Sequence, residues 1–512
     1  MFALRTASLA ILFTVSAVRA DDLAAKIRAV TDAPEYKAAR WGILVVDAKT
    51  GATVYEQNPD KLFLPASVTK LFTCATALAE LGSDFRFITP VYARGETKDK
   101  VLEGDLVLVA SGDLTFGGRR GKTEGIEFAN NDHTYANSGL MNSALTDTNP
   151  LYALEQLAKQ IAAEIREVKG EVLIDDRLFA RTRSSGSGPE IVSPILVNDN
   201  VVDVIVSPGE KEGDPAIVKV RPETAYIQMD ADVRTSKAGG NPNISVEATG
   251  SGQFMVRGRI PLKAEPTVRI YPVDEPVLFA RALFIESLRK QGVKVAASLH
   301  RPRRFELPGA GDKLSRIAEY RSEPLAETIK VTLKVSHNLY ASTLPVLVGL
   351  RHQDGTAEAG LRQQGRLLKG LGVDPTTVSF AGGAGGASAD SASPRATVNL
   401  LRAMAKHPAG PDYFKAMPIL GVDGTLSESV AKESPARGKV RGKTGTLAWY
   451  DAQNERLLLR SKALAGELET EKGTKLYFTI FLNDMPLAEG GTAAQQGKVI
   501  GKLCEVIYKN GP

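Results

Sequence analysis

Three short motifs, Ser67-Val68-Thr69-Lys70, Ser336-His337-Asn338 and Lys443-Thr444-Gly445, follow one another along 512 residues, and more than half of the chain separates the first two serines. If the three serve one site, the fold must be closed by contacts between the two ends of the chain, with a long insertion between them. Their residue types point to acyl transfer through an activated serine.

Context separates these copies from decoys with the same letters. Pro65-Ala66 leads into a run from Ser67 to Leu81 that is rich in helix formers and lacks Gly or Pro until Gly82. Ser67 is therefore expected in the first helical turn, at the positive end of the helix dipole. Lys70 lies three residues on, so it projects from the same face and reaches the hydroxyl. Ser287-Leu288-Arg289-Lys290 repeats the first pattern inside an amphipathic helical stretch, Val277 to Gln291, and reads as a solvated helix face. Lys49-Thr50-Gly51 repeats the third between strand-like runs Gly42 to Asp47 and Ala52 to Glu56, and reads as a hairpin turn.

Residues 1–20 carry Arg5, an apolar run from Ala7 to Val18 and Val18-Arg19-Ala20 before Asp21. This reads as a cleaved signal peptide, with an uncleaved anchor as the alternative. The expected compartment is the periplasm or cell envelope, with no later membrane span. Removing this segment takes two arginines and no acids, so the formal net charge falls from +5 to +3. No basic blocks remain to suggest nucleic acid. An apolar fraction of 43% supplies packed cores, and the length points to more than one domain. Cys74 and Cys504 are the two cysteines, expected as buried thiols rather than a bridge. The five histidines form no ligand cluster, so neither metal nor other cofactor is expected.

The expected fold class is α/β (α+β). The hairpin from Gly42, the late strands Val440 to Leu447 and Leu476 to Asn483, and the helical run Ala493 to Tyr508 can form one antiparallel sheet flanked by helices. Residues 21–86 and 311–512 would make this domain. Between them, residues 87–310 read as a β-rich insertion of one or two subdomains, with short alternating runs such as Asp105 to Ala110, Val201 to Val206, Ala216 to Val220 and Gln253 to Ile260. Helical stretches at Tyr152 to Val168 and Val277 to Gln291 interrupt it, and Leu307 to Gly311 reads as the return linker.

With these motifs the chain resembles the D-alanyl-D-alanine carboxypeptidase/endopeptidase family, the low-molecular-mass class C penicillin-binding proteins. Further phrases carry the likeness over nearly the whole chain: Leu64-Pro65-Ala66, Gly104-Asp105-Leu106, Val172-Leu173-Ile174-Asp175, Asn198-Asp199-Asn200, Leu339-Tyr340-Ala341 and Gly421-Val422-Asp423-Gly424-Thr425-Leu426. The resemblance implies a β-lactamase/transpeptidase-like domain and peptidoglycan stem peptides as substrate, with β-lactams as covalent inhibitors. By that resemblance Ser67 attacks the carbonyl between two D-alanines. Lys70 is its base, and it can act only when neutral. Burial and the nearby Lys443 are expected to bring it from about 10.4 toward about 7 to 8. Ser336 relays a proton to the leaving amine, and Asn338 orients Lys70 and binds the substrate amide. Lys443 and Thr444 meet the terminal carboxylate, and the strand through Gly445 and Thr446 lies beside the scissile bond. Backbone N–H groups of Ser67 and Thr446 form the oxyanion hole. Asp175 either reads the amino group of the third stem residue or caps a strand end before Arg177.

Two stretches depart from the family. Gly382-Gly383-Ala384-Gly385-Gly386 replaces an Asp-Gly-Ser-Gly stretch, keeping backbone latitude and losing two polar side chains. Ala448 to Arg460 is an extra segment after the third motif, whose Trp449 and Tyr450 either stack on a glycan or shield the strand. The competing readings are a catalytically inactive cell-wall-binding scaffold, motivated by the glycine loop, and a β-lactamase, for which no deacylating glutamate can be assigned.

Overall fold

The computed structural model of the protein describes residues 22–122, 125–138 and 143–512; the expected signal segment, residues 1–20, lies outside them. The described residues form two compact units, one of residues 22–80, 332–336 and 360–512, the other of those within 81–331 and 337–359.

In the first unit, five antiparallel strands lie in the order Val440–Asp451, Arg456–Glu469, Lys475–Pro486, Arg40–Asp47, Thr53–Gln57. Ile43 pairs with Ile480, so the two ends of the chain close one sheet, as the split pattern requires. Alternation along these strands sends Ile43, Val45, Leu464, Ile480 and Leu482 to one face, where they pack with Leu503 and Ile507 of the terminal helix Ala493–Asn510 and with Leu23 and Ile27 of the helix at 22–31. The helix Thr69–Leu81 buries ten consecutive residues, among them Leu71, Phe72 and Leu78, and each such side chain contributes about 1.5–3 kcal/mol. It stops where Gly82 takes a φ of 90°, a left-handed cap that glycine adopts without strain.

The second unit holds a six-stranded sheet, two three-stranded sheets and a two-stranded ribbon, with a main core that includes the helices Tyr152–Glu164 and Pro276–Lys290. The strands expected at 105–110, 201–206, 216–220 and 253–260 are all present within a few residues. The first helix is shorter than its apolar run, because Glu167–Val168 leaves it to pair with Val101–Leu102. The return to the first unit comes at residue 332 rather than 311, since the strand Leu314–Arg321 still pairs with Ile88–Lys98. Ser287 is buried, with its hydroxyl on the carbonyl of Leu283, so its helix face is part of the core and not solvated. Lys49-Thr50-Gly51 is the expected turn, closed by Asp47 Oδ1, which accepts from the N–H groups of Lys49 and Thr50 and from Thr50 Oγ1.

No helix among the described residues is long and apolar enough to cross a membrane. Among the same residues, no group of three or more His, Cys, Asp or Glu side chains is placed to hold a metal ion.

Candidate active site

Ser67 lies in a short 3-10 turn, Ala66–Val68, immediately before the helix Thr69–Leu81, rather than in that helix's first turn. The entry is tight: Ala66 takes a φ of 46°, an uncommon conformation for a residue with a Cβ. Lys70 still lies one turn on, and its Nζ is 2.8 Å from Ser67 Oγ. The same Nζ donates to the carbonyl of Ala384 at 2.7 Å, while Thr73 Oγ1 donates to the carbonyl of Gly383 at 2.8 Å. The glycine-rich loop thus acts on Lys70 through backbone oxygen atoms, which needs neither of the polar side chains it lacks.

Two glycines make this approach sterically feasible. A Cβ on Gly385, whose φ is 83°, would stand 2.0 Å from the carbonyl oxygen of Ala66, and one on Gly445 would stand 2.5 Å from that of Pro65. The loop is closed by Asp390, a buried residue that sequence reasoning missed: its two carboxylate oxygens accept from the N–H groups of Ala381 and Ala387 at 2.8 and 3.0 Å.

Lys443 repeats the pairing. Its Nζ donates to Ser336 Oγ at 2.9 Å and to the carbonyl of Thr444 at 2.8 Å. Both lysines are fully buried. Burial draws Lys70 down to about 7, partly opposed by the Asp390 carboxylate. Burial, reinforced by the charges of Lys70 and Lys462, holds Lys443 well below the usual lysine range. Each serine hydroxyl therefore has beside it an amine that can be neutral near pH 7. Cys74, a free thiol buried on the same helix, is pushed up by burial to about 12 and stays protonated; Cys504 is likewise free and buried.

Ser336 has a φ of 63°, the kink between the helices Leu325–Lys334 and Asn338–Arg351. On the first-unit side, Lys334 makes a two-oxygen ion pair with Asp423 at 2.6 and 2.8 Å, and Asp423 also accepts from the N–H of Ile419. The loop so held carries Thr425, whose hydroxyl is 2.7 Å from that of Thr444. Lys334, Asp423 and Thr425 were also missed as positioning groups. Only the phrase Gly421 to Leu426 marked this loop.

On the second-unit side, His337 caps the following helix by accepting from the N–H of Tyr340, and the two rings stack 3.7 Å apart. The N–H of Asn338 donates to Tyr135 Oη at 3.2 Å, and Asn338 Nδ2 donates to the carbonyl of Ser187 at 3.0 Å. Tyr340 in turn donates to Asp199, in a buried network with Arg119, Asp132, His133 and Asp203. Asp199 is the centre of three successive residues with positive φ, Asn198 at 49°, Asp199 at 55° and Asn200 at 54°, a conformation that the surrounding hydrogen bonds hold in place. Asp175 accepts from the N–H and the guanidinium of Arg177, the geometry of a strand-end cap. Trp449 and Tyr450 do not shield the motif strand: residues 448–460 form the outer part of a β-hairpin on which these two residues are 65% and 60% exposed.

The D-Ala-D-Ala carboxypeptidase 3 (S13) family matches residues 23–502. A D-alanyl-D-alanine carboxypeptidase of Actinomadura sp. (strain R39) is 27% identical over 459 residues, covering 85% of this chain and 78% of that protein. D-alanyl-D-alanine carboxypeptidase DacB of Haemophilus influenzae is 23% identical, covering 86% and 85%. The crystal structure of penicillin binding protein 4 (dacB) from Haemophilus influenzae shares the fold, with a TM-score of 0.69 at 19% identity over 92% of this chain and 97% of that one.

Proposed function

The chain belongs to the D-Ala-D-Ala carboxypeptidase 3 (S13) family, and from that premise we propose that it hydrolyses the terminal D-Ala-D-Ala bond of peptidoglycan stem peptides through an acyl-enzyme on Ser67, cleaves D,D-cross-links as an endopeptidase, and is inhibited by penicillins. The observation that carries this reading is the 2.8 Å contact between Ser67 Oγ and a buried Lys70 whose pKa is drawn to about 7.

In the first step Ser67 Oγ attacks the carbonyl carbon and its proton passes to neutral Lys70, which the Ala384 carbonyl keeps aimed. The negative charge that develops on the carbonyl oxygen is met by the N–H groups of Ser67 and Thr446, a contribution of about 3 to 4 kcal/mol per donor. The C–N bond then breaks, and the leaving amine takes the proton that Lys70 removed, relayed through Ser336, whose Oγ is held by Lys443 Nζ at 2.9 Å. Water attacks the acyl-enzyme by the same proton route in reverse. Thr444 and Thr446 bind the terminal carboxylate, and Asn338 binds the substrate amide. Asp175 reads the third stem residue only if that ligand displaces Arg177. Export to the periplasm or cell envelope is part of the proposal and rests on residues 1–20.

The test is intact-protein mass spectrometry with a penicillin, on the parent and on Ser67→Ala. A stable adduct on the parent alone supports the acylating serine. Rapid hydrolysis of the penicillin without a lasting adduct would make the protein a β-lactamase, and neither adduct nor hydrolysis would make it a non-catalytic scaffold.

A further inference from the structure

The outer part of the hairpin made by Val440–Asp451 and Arg456–Glu469 has no part in the mechanism above. It is a braced extension of the sheet. Ala448, Trp449, Tyr450 and Asp451 pair with Leu459, Leu458, Leu457 and Arg456, and Leu459 and Leu458 pair in turn with Met485 and Pro486. The N–H of Leu487 donates to the carbonyl of Leu457 at 2.9 Å, and Asp451 closes the turn by accepting from Asn454 Nδ2 at 2.7 Å. On this support Trp449 and Tyr450 are more exposed than any other large apolar residue described. Rings held out on a paired strand keep their apolar faces free for a ligand.

Two features connect these rings to the motif strand. Val440–Asp451 is an edge strand, flanked on one side by Arg456–Glu469, and no strand among the described residues pairs with its other side from Lys443 to Asp451. An open edge offers backbone N–H and C=O groups to an extended chain. The strand is also buried or half-buried as far as Gly445, whereas Thr446, Ala448, Trp449 and Tyr450 are exposed. A substrate that ends at its carboxylate continues only on the acyl side of the scissile carbonyl, and from Thr446 the open edge runs toward Tyr450. Alternation puts Tyr450 on the face of Thr444 and Thr446, about 13 Å beyond Thr446 at about 3.3 Å per residue, and Trp449 on the opposite face. A chain lying along this edge reaches both rings.

We propose that residues 448–450 form an extended subsite, in which the open edge binds the stem peptide and the rings of Trp449 and Tyr450 stack on the sugar that carries it. This deepens the proposed function and rests on it. The outcome is a preference for glycan-borne stems over short peptides with the same D-Ala-D-Ala end. Exposed aromatic anchors of this kind change affinity by roughly 10- to 100-fold.

The experiment measures D-alanine release, as kcat/KM on the full chain, from an N-acetylmuramyl pentapeptide, from the same pentapeptide without the sugar, and from its N-acetylated C-terminal tripeptide. The proteins are the parent, Trp449→Ser, Tyr450→Ser and the double variant. The expected result is that the parent favours the muramyl pentapeptide over the tripeptide by about 10- to 100-fold, and that the double variant loses most of this ratio, chiefly in the step from the free to the muramyl pentapeptide. A parent that treats the three donors alike, or ratios that are the same in the parent and the double variant, would overturn the subsite while leaving Ser67 in place. A parent that neither releases D-alanine from any donor nor forms a penicillin adduct would instead remove the acyl-enzyme reading, and the subsite with it. Trp449→Leu combined with Tyr450→Leu, which keeps apolar bulk without a ring, carries the same comparison should the serine variants fail to fold.

Discussion

The carbonyl oxygen of Ala384 accepts a hydrogen bond from Lys70 Nζ at 2.7 Å, across more than three hundred residues of chain. The proposed base is thereby aimed by a peptide group, which has no side chain to lose. A neutral amine in this position keeps its lone pair toward Ser67 while one N–H is held by the loop.

Acylation of the parent should rise with pH through the neutral range, with its midpoint near 7, as Lys70 gives up its proton. Lys70→Arg keeps a cation that does not deprotonate, and should lower the rate above pH 7 by about 10²- to 10⁴-fold and abolish the rise with pH. Stopped-flow or quenched acylation with a chromogenic penicillin reads both.

Gly385→Ala should unfold more easily and acylate more slowly. The added Cβ would stand 2.0 Å from the Ala66 carbonyl at a φ of 83°, so either the loop or the Ser67 turn must shift. A cost of about 2 to 4 kcal/mol is expected by urea titration. Gly386→Ala, in the same loop, serves as the comparison.

Asp199→Asn should destabilise the chain by about 3 to 5 kcal/mol, because Arg119 and His133 are buried against that carboxylate and lose a charged partner together. Burial alone would raise the Asp199 carboxyl; Arg119 and His133 overcome it and hold it well below the usual range. The exposed pair of Arg234 with Asp232 should behave differently, and Asp232→Asn should change stability by less than about 1 kcal/mol. Equilibrium unfolding of the two variants decides the contrast.

His133 supplies a stability that is lost with alkali. Burial opposes its charge, but Asp203 and Asp199 prevail and raise its pKa from 6.5 to about 10. A raised folded pKa means that the folded chain holds a proton the unfolded chain has released, so this contribution is complete below pH 6.5 and falls away as pH rises to about 10. His133→Gln should lose most of its stability difference from the parent at pH 10, as measured by unfolding at pH 6 and pH 10.

Trp449→Ser and Tyr450→Ser should each change stability by less than about 0.5 kcal/mol, since both rings are mainly in solvent. Thermal melts of the single variants are sufficient to check this. A larger loss would mean that the hairpin is packed against a surface.

The legible parts of this protein are those written in neighbouring residues. Ser67 and Lys70 are one turn apart, so their contact follows from local geometry, and strands such as Val201–Ser207 announce themselves by alternation. The decoy at Ser287 shows the limit of the same reasoning: charge spacing suggested a wet face, yet that helix is enclosed by the sheets of its own unit. Asp390 could have been suspected as the first acid after the glycine run, but no pattern distinguishes it from a surface aspartate.

The sequence by itself determined the chemistry on offer, one serine-lysine pair, two further motifs and a split domain, because residue type and short-range spacing set what a turn, helix or strand can present. Tertiary structure alone decided that Lys443 stands behind Ser336, that Ala384 holds Lys70, that Tyr135 and Ser187 hold Asn338, and that Lys462 lies along Thr446. These contacts join residues far apart in the chain. Their geometry depends on how sheets and helices pack, and that is set by the sum of many weak apolar contacts rather than by any short run of residues.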